Sequence, residues 1–214
     1  MRLFLVRHGL TEWNETGRYQ GQLDVPLSAE GRLQIAALRD RLRAEVFTAC
    51  LASALLRALE SAEILLEGHR CPIRQTPDLN EMSYGQWEGL TRAQIRERFP
   101  EAWALFLADR ASHAPPGGES QCALGLRVQH TLDTLQREYG SSDASVLLVA
   151  HGGSIRAAIA SLLNVPDIDV RRLRIDNASL SIVEVYGRDA ILSLFNDTAH
   201  LGWGKGPPER QPVH

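Results

Sequence analysis

The chain has 214 residues, 44% of them hydrophobic and 23% charged, and a formal net charge of −3. This is the profile of a globular domain, and it lacks the basic excess that nucleic acid or an anionic membrane calls for; any affinity for phosphate must come from a local cluster. Cys50, Cys71 and Cys122 are scattered, odd in number and without a C-x-x-C spacing, which argues against a disulfide framework or a structural zinc site and for a reducing compartment. The first apolar run is broken by Arg7, too early for a signal peptide or a spanning helix, so the expected location is the cytoplasm.

In chain order, Arg2 to Val6 reads as a buried strand and the polar segment from Gly9 to Val25 as a loop. A helix follows Pro26, with Ser28 as N-cap and Leu33, Ala36, Ala37, Leu38 and Leu42 at helical spacing. Val46 to Ala52 reads as a strand, Leu55 to Leu66 as a helix and Ile73 to Thr76 as a short strand. Thr91 to Arg98 and Glu101 to Asp109 are short helices separated by Pro100, and Pro115 to Gly118 is a turn. Glu119 to Tyr139 is a longer helix, Ala144 to Ala150 a strand, and Ser154 to Leu163 a helix ended by Pro166. Ser179 to Tyr186 and Ala190 to Phe195 pair across a turn at Gly187. Strands alternating with helices predict a three-layer α/β/α sandwich around a mostly parallel sheet. It forms one domain over residues 1–201, with an insert over the catalytic rim at about 82–118 and a flexible tail at 202–214.

Two apolar runs end abruptly in His-Gly, at Val6-Arg7-His8-Gly9 and Val149-Ala150-His151-Gly152. In α/β proteins ligands bind beyond the carboxyl ends of buried parallel strands. If these two strands are adjacent, two imidazoles and the Arg7 guanidinium meet at one rim, a constellation suited to an anionic, phosphorylated substrate. Imidazole is a good nucleophile toward phosphorus, and guanidinium grips phosphate with two N–H groups. Gly152 and Gly153 open a helix whose N-terminus favours anions. Taken alone, Arg57 reads as a solvated helix charge and Glu81 as a salt-bridge partner, although a carboxyl in a phosphate site can serve as general acid.

The chain resembles the histidine phosphatase superfamily, the group that includes the cofactor-dependent phosphoglycerate mutases. The likeness rests on six blocks in order: Leu5 to Asn14, Tyr19 to Ser28, Ser53 to Ala58, Leu79-Asn80-Glu81, Gly117 to Ser120 and Ala150 to Gly153. It implies that His8 is phosphorylated and then dephosphorylated. Arg7, Arg57 and His151 hold the phosphoryl oxygens with Asn14 as an extra donor, and Glu81 protonates the leaving oxygen. Gln20 and Gly152 complete the implied substrate contacts, with Thr11 and Trp13 as further neighbours. No metal and no cofactor are implied. Gly152, where the acid-phosphatase branch has Asp, matches the branch that uses Glu81.

The resemblance also ranks activities. Leu107 to Pro116 lacks the paired arginines of the mutases, and Trp87-Glu88-Gly89 is similar to phosphatase members, including α-ribazole-phosphate and broad-specificity types. The implied activity is hydrolysis of a small phosphomonoester. Mutase action and a non-catalytic phosphate-binding module are the alternatives, and the chain is expected as a monomer or homodimer. Leu10, where Glu, Gln or Ser is commoner, marks a possible change at the substrate rim.

Overall fold

The computed structural model describes residues 1–166 and 172–202. Six strands form one sheet in the order β3-β2-β4-β1-β5-β6. They are β1 (Arg2–Arg7), β2 (Ala49–Ala52), β3 (Ile73–Gln75), β4 (Ser145–Ala150), β5 (Leu180–Tyr186) and β6 (Asp189–Asp197). The first four in spatial order are parallel, and β5 and β6 join antiparallel at one edge. Seven α-helices are described: α1 (Glu12–Glu15), α2 (Ala29–Leu42), α3 (Leu56–Leu65), α4 (Arg92–Arg98), α5 (Pro100–Ala108), α6 (Gln121–Tyr139) and α7 (Gly152–Leu163). None among the described residues is long and apolar enough to cross a membrane.

The central strands are apolar without a break because both faces of the sheet are covered. Alternate residues divide between two clusters, as the two-residue period of a strand requires. Leu3, Leu5, Val146 and Leu148 pack with α6, α7 and the segment holding Trp87, Ile95, Trp103 and Phe106. Phe4, Val6, Leu147 and Val149 pack on the other face with α2 and α3 through Ile35, Leu38, Ala58 and Ala62. The expected sandwich is therefore observed. Met82, Trp87, Ile95, Trp103 and Phe106 of the 82–118 segment are core, whereas Leu105 is exposed; its Pro115 to Gly118 turn closes through the Gly118 N–H to the Pro115 carbonyl at 2.8 Å.

Several local expectations are corrected. The segment from Gly9 to Val25 is not all loop: Thr11, fully buried, caps the single turn α1 by accepting from the Asn14 N–H, so it is a capping residue rather than a substrate contact. The buried stripe of α2 runs through Gly31, Ile35, Leu38 and Leu42, whereas Leu33 is 66% exposed. Strand β2 begins at Ala49, and Val46, 82% exposed, precedes it. Pro100 does not separate the two short helices; it opens α5 from its first position, where no N–H is needed. Helix α7 starts at Gly152, two residues earlier than expected, and ends in a left-handed Asn164 before Pro166. Apart from Gly202, the expected tail lies outside the described residues.

Candidate active site

Three neighbouring strands deliver the first parts of the site. β1 pairs in parallel with β4 in a register that sets Arg7 level with Ala150. The next residues, His8 and His151, thus emerge side by side with ring centroids 5.0 Å apart. β2, on the other side of β4, ends at Ala52, and the N–H of the next residue, Ser53, donates to the Val149 carbonyl at 2.9 Å.

The hydrogen bonds fix the tautomer of each imidazole. His8 Nδ1 lies 2.7 Å from the Gly9 carbonyl, which can only accept, so Nδ1 carries the proton and Nε2 holds a bare lone pair. The Ser53 hydroxyl donates to Asn80 Oδ1 at 2.8 Å and therefore accepts from His151 Nε2 at 2.7 Å. His151 Nδ1 is buried and has no hydrogen-bond partner. Both rings are almost wholly inaccessible. Burial, then Arg57, then Arg7 push His8 well below its ordinary pKa. Burial, then Arg57 and His8, do the same for His151. Both are neutral near pH 7.

Two guanidinium groups flank them. Arg7 donates through Nη1 to the Ile175 carbonyl at 2.7 Å. Arg57, 1% exposed on the first turn of α3, donates to the carbonyls of Gly21 at 2.7 Å and Leu23 at 2.9 Å. Burial lowers each to about 10, so both stay charged at neutral pH. Their Nε atoms are buried without partners. Arg57 is thus not the solvated helix charge that its position alone suggested.

Asn14 is oriented by three donors on its Oδ1: Thr11 N–H at 3.1 Å, Thr11 Oγ1 at 3.0 Å and Asn177 Nδ2 at 3.2 Å. Its amide nitrogen is left as a donor facing the cavity that Asn14 lines. Gln20 is buried, lines the same cavity and leaves Oε1 unpartnered. Glu81 reaches the N-terminus of α7, where Oε2 accepts from Gly153 N–H at 3.1 Å and Oε1 from Met82 N–H at 2.8 Å. A Cβ on Gly153 would stand 2.1 Å from Glu81 Oε1, so only glycine admits the carboxylate there.

The cavity has a volume of about 290 Å³, and Arg7, His8, Asn14, Gln20, Arg57, Glu81 and Gly152 all line it. His151 stands behind His8, with its ring against that of the neighbour. Leu10 is absent from the lining and is held by Gln34 Oε1 at 3.2 Å. The other lining residues include Arg18, Tyr19, Tyr84 and Arg156, none of which sequence reading singled out. For Arg156 a signal existed: it lies one helical turn after Gly152 on α7. Among the described residues no three His, Cys, Asp or Glu side chains converge as a metal-ligand set.

Supporting residues hold these groups from behind. Arg127 on α6 donates to the carbonyls of Asp78, Asn80 and Glu81 at 2.7 to 2.9 Å and pairs with Glu119 at 2.6 Å. Asn177 Nδ2 donates to the His8 carbonyl at 3.1 Å as well as to Asn14. Ala178 N–H donates to the Arg7 and His8 carbonyls, both at 3.1 Å. A bare imidazole nitrogen, two guanidinium groups, a helix N-terminus and a nearby carboxyl can together bind a phosphoryl group, attack it and move a proton.

The family model described as histidine phosphatase superfamily (branch 1) matches residues 3–198. The adenosylcobalamin/alpha-ribazole phosphatase of Salmonella typhimurium is 33% identical over 199 residues, 93% of this chain and 98% of that protein. A Proteus mirabilis protein named as a probable phosphoglycerate mutase is 34% identical over 185 residues, 86% of this chain and 85% of its own length. The crystal structure of the alpha-ribazole phosphatase from Shigella flexneri is similar with a TM-score of 0.87 at 31% identity, covering 93% of this chain and 98% of that one.

Proposed function

The chain belongs to branch 1 of the histidine phosphatase superfamily, and from that premise we propose that it hydrolyses a small phosphomonoester through a phosphohistidine on His8. The observation that carries this reading is the His8 Nδ1 bond to the Gly9 carbonyl, which leaves Nε2 bare beside the buried guanidinium of Arg57 and the half-buried one of Arg7. The Nε2 lone pair attacks phosphorus, the P–O ester bond breaks, and Glu81 gives its proton to the leaving alkoxide. Water then attacks the phosphohistidine, Glu81 takes its proton, the N–P bond breaks, and phosphate leaves a neutral His8.

Arg7, Arg57 and the amide nitrogen of Asn14 neutralise charge on the phosphoryl oxygens, a task that preorganised donors perform without reorganising. Gly152 supports this as the first residue of α7, whose N-terminus faces the anion. His151 joins by taking up a proton from solvent at Nδ1 when the dianion arrives, since Nε2 is committed to Ser53. Gln20 contacts the substrate from the cavity wall.

Mutase action is the second reading, favoured by the name of the Proteus mirabilis relative. Against it, the segment from Leu107 to Pro116 has a single arginine, Arg110, and that side chain lies over the Phe106 ring, 5.1 Å from its centroid.

The test is phosphate release from p-nitrophenyl phosphate, 3-phosphoglycerate and α-ribazole phosphate by the wild-type protein and by His8→Ala. The expected result is release that depends on His8, with an acid-labile phosphoenzyme trapped on rapid quenching. Isomerisation of 3-phosphoglycerate faster than its hydrolysis would select the mutase reading. No activity above the His8→Ala control would leave a phosphate-binding module.

A further inference from the structure

The serine that holds His151 is itself held by the loop carrying Glu81, and each hydrogen in that chain has a fixed direction. The Ala54 N–H can only donate, so the atom it reaches at 3.0 Å must be the amide oxygen of Asn80. The Ser53 hydroxyl lies 2.8 Å from the same Oδ1 and must donate to it. Its lone pairs then accept from Leu55 N–H at 3.2 Å and from His151 Nε2–H at 2.7 Å. Ser53 and His151 are both fully buried. The chain leaves His151 Nδ1 bare, buried and without a partner.

The choice of tautomer has a chemical consequence. A ring already protonated at Nδ1 would offer a phosphoryl oxygen one neutral hydrogen bond. A bare Nδ1 takes up a proton from solvent as the dianion arrives, meets it as a cation, and returns the proton when phosphate leaves. Arg57 on α3, His8 and Arg7 at the end of β1 and Arg127 on α6 hold that proton off the empty site. The acid of the site, Glu81, stands at the N-terminus of α7. Donation from Nε2 through Ser53 to Asn80 favours the charged ring, because each hydrogen bond of the chain strengthens as the imidazole gains charge.

Asn80 directly precedes Glu81, and Arg127 clamps the carbonyls of both, at 2.7 and 2.9 Å. Glu81 accepts from Gly153 N–H, two residues after His151. The loop therefore reaches the second imidazole by two routes, through the helix that follows the ring and through Asn80 and Ser53.

We propose that Asn80 is a positioning residue with two charges: through Ser53 it keeps the His151 proton on Nε2 and Nδ1 open, and as the neighbour of Glu81 it sets the acid and the second imidazole as one unit. The proposal rests on the phosphatase reading for the tasks of Glu81 and His151. Asn80 itself touches no reacting atom.

Three substitutions test it. Ser53→Ala cuts only the path to His151. Asn80→Ala cuts that path and also loosens the acid. Asn80→Asp keeps both accepted hydrogen bonds and adds negative charge. In long-range proton–nitrogen correlation spectra of the free proteins, His151 should carry its proton on Nε2 in the wild type and in Asn80→Asp, and shift toward Nδ1 in the two truncations. Ser53→Ala should lose about tenfold in kcat/KM, equally on p-nitrophenyl phosphate and glycerol 3-phosphate. Asn80→Ala should match that loss on the aryl ester and fall about tenfold further on the alkyl ester, which needs the acid. Asn80→Asp should raise the pH at which His151 protonates by about one unit. That variant leaves the Ala54 N–H and the Ser53 hydroxyl satisfied, so it reads the chain even if the truncations do not fold. A wild-type His151 protonated on Nδ1 overturns the proposal. So does an unchanged tautomer in both truncations, an unmoved His151 midpoint in Asn80→Asp, or an equal loss on the two esters in Asn80→Ala. If the wild type hydrolyses neither ester the phosphatase reading falls, while the spectra of the free proteins still decide what Asn80 does to His151.

Discussion

The rings of His8 and His151 lie 5.0 Å apart between centroids, tilted by 58° to one another, and burial together with the Arg57 charge keeps both neutral. Their pKa values lie below the ordinary 6.5 in the folded protein, so between that value and the folded one the unfolded chain binds more protons. Stability is therefore full above about pH 6.5 and falls as pH drops, by up to ~1.4 kcal/mol per pH unit for each group. Urea unfolding at pH 7.5, 6.5 and 5.5 should show this decline. The His8→Asn, His151→Asn double variant should flatten it, and an unchanged slope in that variant would remove the two rings as its cause.

Glu81→Gln keeps the size of the side chain and removes the transferable proton. Phosphate release from alkyl phosphates should fall about 10²- to 10⁴-fold, the usual contribution of a positioned acid. Aryl phosphates, whose leaving groups need less help, should fall far less. Parallel kinetics on glycerol 3-phosphate and p-nitrophenyl phosphate check this, and equal losses would count against the assignment.

Arg127 holds the carbonyls of Asp78, Asn80 and Glu81 and ends in the Glu119 carboxylate. Arg127→Met should cost about 2 kcal/mol of stability, because charged hydrogen bonds are lost and Glu119 is left unpaired. It should also repeat the alkyl-against-aryl bias of Glu81→Gln in milder form, since the acid loop loses its clamp. Chemical denaturation and the two-substrate kinetic comparison measure the two effects separately.

Gly153→Ala separates fold from chemistry. The added methyl falls 2.1 Å from Glu81 Oε1, and the carboxylate must swing away. Alanine is the better helix former by up to ~1 kcal/mol, so the melting temperature should hold or rise while alkyl phosphate turnover drops. A variant with full turnover would show that Glu81 works from another position.

The parts of the site that sequence made readable are those in which strand pattern and chemistry coincide. Two apolar runs ending in His-Gly imply neighbouring buried strands, and the β1–β4 register joins them as that logic expects. Arg57 and Glu81 were readable only through the family resemblance, because neither strand period nor helix stripe distinguishes them from surface charges. Arg127, Asn177 and Ser53 reach Glu81, His8 and His151 across 46 to 169 positions of sequence, and no local spacing encodes such contacts. The same holds for element edges. Leu33 fits an apolar pattern yet points to solvent, because the stripe that packs is set by Gly31 against the Leu10 backbone.

One feature of the scaffold reaches into biosynthesis. The turn carrying His8 is tied down by Asn177 and Ala178, 169 and 170 positions later in the chain. A growing polypeptide would thus display its imidazole almost from the start of translation but hold it correctly only after the closing hairpin has emerged and docked. A truncation before residue 177 should therefore yield a fragment whose β1 can pair with β4 while the turn carrying His8 lacks these ties.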